Sequence, residues 1–186
     1  MEYRLTTPVT AEDLAPLRAG DTVILSGIVY SSRDAAHKRL CELLDGGGEP
    51  PYTLEGSAVY YVGPTPERPG EAMGSAGPTT SGRMDAYSPR LLDLGQKIMI
   101  GKGARNKAVV DAIVRNGAVY LGAVGGCGAL MAASVERATI ICWEDLGCEA
   151  VREMQVVDFP LTVIIDSRGN NLYESGPKAY LDSVQT

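Results

Sequence analysis

Three short segments set cationic and hydroxyl side chains beside glycine or directly after an apolar run. In Ser31-Ser-Arg-Asp-Ala-Ala-His-Lys-Arg39 a β-type run gives way to a helical pattern. The free N–H groups and positive dipole end of that helix therefore fall beside Arg33, an arrangement suited to an anion. Ser32 or Asp34 is expected to cap the helix; an ordinary capped helix with a basic solvent face uses the same residues. His37, in the first turns, is by itself read as a hydrogen-bonded structural imidazole before it is read as a base. In Gly77-Pro-Thr-Thr-Ser-Gly-Arg-Met-Asp85, the adjacent hydroxyls of Thr79 and Thr80 lie between glycines, with Arg83 three residues on. Hydroxyls, turn N–H groups and a guanidinium fork can surround a carboxylate or phosphate. The alternative is a Thr/Ser-capped helix start with Arg83 and Asp85 paired on the surface. The third segment, Met99-Ile-Gly-Lys-Gly-Ala-Arg105, brackets Lys102 with glycines at a strand end. It lacks the GxxxxGK[ST] pattern, because Gly103 follows Lys102, so a nucleotide-binding turn here is the weakest alternative. Tyr120-Leu-Gly-Ala-Val-Gly-Gly-Cys-Gly128 has glycines but no acid at dinucleotide-binding distance, and reads as close helix–strand packing.

The elements that must position these residues show in the hydrophobic pattern. Thr22–Tyr30, Ala58–Val62, Lys97–Ile100, Ala118–Leu121, Ala138–Trp143 and Leu161–Asp166 are short, rich in β-branched or aromatic residues, and bounded by Gly, Pro or Asp. That is the signature of strands buried on both faces. Helical spacing runs over Asp34–Leu44 and Asn106–Asn116, the latter stopped by Gly117, and Gly125–Val135 is a small-residue helix candidate. The expectation is an α/β chain, a central mixed sheet flanked by about four helices. Arg33, Arg83 and Lys102 are then placed after strand ends, where an α/β sheet gathers side chains into one crevice. Three cations suit a small dicarboxylate. Asp45–Tyr52 and the long stretch from Pro64 to Gly82 are loops by composition, the second long enough to be functional.

With 186 residues the chain is expected to be a single domain over 1–186. It carries 23 acidic against 17 basic residues, a formal charge of −6, which argues against nucleic acid or an anionic membrane surface as partner. No apolar run approaches the roughly 20 residues of a bilayer span. No secretory pattern is visible at Met1–Pro8, so the cytoplasm is the expected compartment. Cys41, Cys127, Cys142 and Cys148 show no CxxC spacing and no nearby His, so neither a disulfide framework nor a metal site is expected in this chain.

The segments Gly27–Arg39, Gly77–Asp85, Ile100–Gly103, Tyr120–Gly126, Glu144–Gly147 and Val157–Pro160, the last followed by the Asp166–Asn170 turn, occur in an order that resembles one family. It is the β subunit of class I, iron–sulfur-dependent fumarate hydratase and L(+)-tartrate dehydratase, and the likeness runs from about residue 5 to about residue 180. The resemblance implies a swivelling β/β/α domain like the small domain of aconitase. It implies docking on an α subunit that holds a [4Fe–4S] cluster, whose open iron acts as a Lewis acid. Carried over, Arg33, Arg83 and Lys102, with His37, bind the substrate, and Thr79 and Thr80 lie at the reacting carbons, Thr79 as proton acceptor. A neutral Thr hydroxyl is a poor base unless cations stabilise its alkoxide. Fumarate/malate is the first expectation, with tartrate or mesaconate as alternatives. A non-catalytic organic-acid-binding domain is the reading from a different class. A homo-oligomer through a sheet edge is also open.

Overall fold

A computed structural model describes residues 1–184 of the chain, so residues 185–186 of the expected domain lie outside it. The elements run β1 (Glu2–Thr6), α1 (Ala11–Leu14), β2 (Thr22–Ser31), α2 (Asp34–Asp45), β3 (Ala58–Tyr60), a 3₁₀ turn (Ser81–Met84), α3 (Ser88–Asp93) and β4 (Ile98–Gly101). They continue with α4 (Lys107–Asn116), β5 (Val119–Gly122), α5 (Gly128–Ala133), β6 (Val135–Cys142), a second 3₁₀ turn (Glu144–Glu149), β7 (Val151–Ile165) and α6 (Leu172–Val184).

The fold is mixed α/β with a central sheet and flanking helices. Strands β1 to β5 pair in parallel in chain order, and β7 joins β5, β6 and β2 antiparallel. Pairing thus runs β2–β3–β4–β5–β7 and returns to β2, closing a ring, with β1 and β6 attached outside it. Alternation along the strands divides the side chains between two cores. Ala58, Tyr60, Ile98, Ile100, Val119 and Leu121 pack with Phe159 and Val163 in one. Val59, Tyr61, Met99 and Tyr120 face the other, where α2, α3 and α4 contribute Leu40, Leu91 and Ile113. Strands β3, β4 and β5 are buried on both faces, as their apolar runs required. Strand β2 alternates instead, and β6, expected at Ala138–Trp143, runs over Val135–Cys142 and is mostly exposed, because no element among the described residues covers its outer face.

Helix α4 follows its sequence signals closely. Asn106 caps it by accepting the Val109 N–H at 3.0 Å, Val109, Ala112 and Ile113 turn inward, and Gly117 ends it at φ 58°. That left-handed geometry favours glycine. Several expectations are corrected. Six helices form among the described residues rather than about four, because α1 and α3 are too short to show an apolar stripe and α6 has Gly176-Pro177 in its middle, which reads as a break in sequence. Helix α5 starts at Gly128 rather than Gly125, since Gly126 has φ 86° and cannot continue a helix. Strand β1 is short with exposed alternate residues, and β7 starts ten residues before the expected Leu161, through a polar stretch and Pro160. No helix among the described residues is long and apolar enough to cross a membrane.

Candidate active site

The parallel strands deliver their following residues to one end of the sheet. Arg33 follows β2 and Lys102 follows β4. Between them the chain inserts the segment 78–80, bridging Val62 through Pro78 and Lys102 through Thr80. The Thr79 N–H donates to the Tyr61 carbonyl at 2.8 Å and the Ser81 N–H to the Lys102 carbonyl at 2.8 Å, so Thr79 and Thr80 are locked in backbone ladders. The Thr80 side chain is exposed and that of Thr79 partly so. Arg83 does not follow a strand end as expected; it stands on the 3₁₀ turn after this insert.

Asp34 joins the arginines. Arg83 Nε lies 2.7 Å from Asp34 Oδ1, and Arg33 Nη2 lies 3.7 Å from Asp34 Oδ2 and 3.4 Å from Glu149 Oε1. Arg83 is half exposed at 51 %, whereas Arg33 is 19 % exposed and packed over Gly63. Lys102 is exposed and runs along Gly125, whose added Cβ would meet its Nζ at 3.6 Å. Arg33 and Arg83 therefore converge on one carboxylate, and Thr80 is ladder partner to Lys102, all at one end of the sheet. Two clefts, of about 640 and 440 Å³, open elsewhere, along the 64–75 loop, and neither is lined by these five residues. The cationic end of the sheet is open to solvent, with Thr80, Arg83 and Lys102 exposed.

The expected side-chain cap from Ser32 or Asp34 is absent. Arg33 occupies the cap position without a side-chain bond, and the Ala35 N–H donates instead to Glu149 Oε2 at 2.9 Å. Asp85 is not the partner of Arg83; it holds buried Arg105. His37 has no exposed surface, so it lies beneath this cationic end rather than on it. Its Nδ1 lies 3.0 Å from the Arg33 carbonyl and 2.9 Å from Ser32 Oγ, and its Nε2 is buried without a partner. A carbonyl only accepts, so the Nδ1–H tautomer fits. Burial pushes the imidazole pKa down to about 4, with nearby Arg105 adding to the fall. His37 is a neutral group that fixes the backbone at Arg33. Asp34, Glu149 and Arg105 carry roles the sequence reading did not give them. Only Asp34, flanked by Arg33 in the quoted motif, offered a local signal.

All four cysteines are free thiols, and among the described residues no three His, Cys, Asp or Glu side chains gather as a metal set.

The class that fold and site define is an α/β domain with cationic and hydroxyl side chains gathered at one end of its parallel strands. The family model described as "Fumarase C-terminus" matches residues 1–176, and the chain belongs to that family. It is 39 % identical over 168 residues to fumarate hydratase 2 of Leishmania major, and 39 % identical over 152 residues to the anaerobic class I fumarate hydratase of Escherichia coli K12. These matches cover 87 % and 81 % of this chain but 29 % and 28 % of those proteins, so the chain spans under a third of their length. It is also 36 % identical over 188 residues to the L(+)-tartrate dehydratase subunit beta of Escherichia coli K12, covering 98 % of this chain and 92 % of that one.

Proposed function

We propose that this chain is the β component of an iron–sulfur hydro-lyase that adds water reversibly to fumarate, giving (S)-malate, together with a larger α subunit. The observation that carries this reading is the convergence of Arg33 and Arg83 on Asp34 at the sheet end where Thr80 pairs with Lys102. Membership of the fumarase C-terminus family supports it. In this reading the domain is the swivelling type and its location cytoplasmic. The [4Fe–4S] cluster belongs to the α subunit, and this chain binds, orients and moves a proton.

Fumarate is a rigid dianion, and its two carboxylates need cations held at fixed separation. Arg33 and Lys102 supply them from strand ends and Arg83 from the 3₁₀ turn, with Asp34 fixing the Arg83 guanidinium at 2.7 Å and pairing with that of Arg33 more loosely at 3.7 Å. Thr79, pinned through its N–H, presents a hydroxyl where the substrate carbon gains or loses its proton. The neighbouring cations lower the cost of the partial alkoxide. The open face then closes on the α subunit, which excludes water and strengthens each charged contact.

The test is reconstitution. The chain alone should not hydrate fumarate, and anaerobic mixing with the α subunit should start the reaction. Arg83→Ala should lower kcat/KM by about tenfold to a hundredfold, the ~1.5–3 kcal/mol of a charge-assisted hydrogen bond. Near-normal activity of that variant removes Arg83 from the site. Tight dicarboxylate binding by the chain without its partner would favour a non-catalytic binding domain instead. The near-full-length match to a tartrate dehydratase subunit beta supports L(+)-tartrate as a second substrate reading, with mesaconate behind it. Parallel assays on the three acids separate them.

A further inference from the structure

Beneath the cationic end of the sheet lies a cation that no solvent reaches. The Arg105 side chain is fully buried, with Nε 2.6 Å from Asp85 Oδ1, Nη2 donating to Ser88 Oγ at 2.7 Å and Nη1 directed at Met99 Sδ at 3.3 Å. Its guanidinium sits between two rings, 5.4 Å from the centre of Tyr61 and 5.1 Å from that of Tyr120. The second oxygen of Asp85 accepts the Asn106 N–H at 2.7 Å. Burying an ion pair is a poor way to gain stability, because desolvation consumes most of the attraction. Its contacts indicate a different use.

Each of them ends on a segment that carries the site. Asp85 and Ser88 follow the 3₁₀ turn that bears Arg83, two and five residues on. Tyr61 is the residue whose carbonyl receives the Thr79 N–H. The Tyr120 hydroxyl donates to the Gly103 carbonyl at 3.0 Å, beside Lys102, and lies 2.9 Å from Ser81 Oγ, whose own proton it can accept. A planar fork that grips Asp85 and Ser88 while stacked between two rings fixes direction as well as distance, which a lysine ammonium does not. We propose that Arg105 is a positioning residue: it holds the 81–85 turn against β4 and so aims Arg83 at the substrate carboxylate. This rests on the reading above, in which Arg83 binds substrate.

A double-mutant cycle in the reconstituted enzyme tests it, with Arg105→Lys, Arg83→Ala and the pair assayed where circular dichroism shows every variant folded. Arg105→Lys alone should lower kcat/KM by at least tenfold, and the double variant should fall within about threefold of Arg83→Ala, because the group being aimed is already gone. If the two losses multiply, Arg105 is merely structural and the proposal fails. A normal Arg83→Ala enzyme removes the substrate role of Arg83 and this proposal with it, whereas an impaired Arg83→Ala with multiplying losses leaves the function standing and overturns only the aiming role. Should Arg105→Lys not fold, Ser88→Ala, which removes one prong and leaves the ion pair, takes its place in the same cycle. The same non-additivity is expected, and multiplying losses again overturn the proposal.

Discussion

Acidification from pH 7 to 4 should destabilise the chain through its one histidine, in a window set by that residue alone. His37 is fully buried, its Nε2 has no acceptor to receive a proton, and its pKa falls to about 4 from the ordinary 6.5, mainly by loss of hydration. Arg105 pushes in the same direction, while the Arg33 carbonyl and Asp34 oppose it. Between pH 6.5 and 4 the unfolded chain therefore binds a proton that the folded chain refuses, so stability falls as pH falls. The contribution is fully present above pH 6.5, is lost down to pH 4, and changes no further below that. A shift of about two and a half pH units corresponds to about 3 kcal/mol. The depressed carboxylates act in a separate, lower window. Asp21, hydrogen-bonded by the N-terminal ammonium, and Asp93, hydrogen-bonded by Arg115, lose their contribution only below their unfolded value of 3.8. Urea unfolding at pH 7, 5.5 and 4.5 reads the loss. Because the sequence has a single His, one imidazole proton resonance reads the titration directly. A resonance titrating near 6.5, with a urea midpoint unchanged from pH 7 to 5, would refute the burial argument.

Two substitutions test how Arg33 is held. A Cβ at Gly63 would come 2.6 Å from Arg33 Nη1, 3.1 Å from its Cδ and 3.3 Å from the Cys148 carbonyl, so the severe clash is with a movable side chain and the backbone contact is only tight. Gly63→Ala should therefore raise the KM for the dicarboxylate about tenfold while the melting temperature stays within a few degrees; the reverse pattern would mean that Arg33 serves only packing. If Arg33 binds the substrate as proposed, Glu149, 3.4 Å from it, competes for the same guanidinium, and Glu149→Gln should lower KM by about two- to fivefold at constant kcat, matching the ~0.3–1 kcal/mol of a partly exposed pair. A rise in KM would show that Glu149 orients Arg33 instead.

What could be read from the sequence follows the range of the forces involved. Alternation within Ala58–Tyr60 and Ile98–Gly101, and the cap and stop of α4, depend on neighbours a few residues away and are visible directly. The motif around Thr79 and Thr80 was visible too, since glycines and hydroxyls cluster in one turn. Hidden from such reading were the partners that closure of the ring creates. Glu149 reaches the Ala35 N–H across 114 residues because β7 pairs with β2, and no local pattern announces an antiparallel return through Pro160. Arg105 shows the same limit at shorter range. Beside Lys102 in a glycine turn it carries no local sign of burial, yet the lysine ends outside while the arginine passes between two tyrosines. Those two fates differ because Tyr61, just past β3, and Tyr120, on β5, lie on the same face to either side of β4, a fact of register rather than composition. The cations that touch solvent were thus legible as types, and the carboxylates and rings that aim them only became so once the strands were paired.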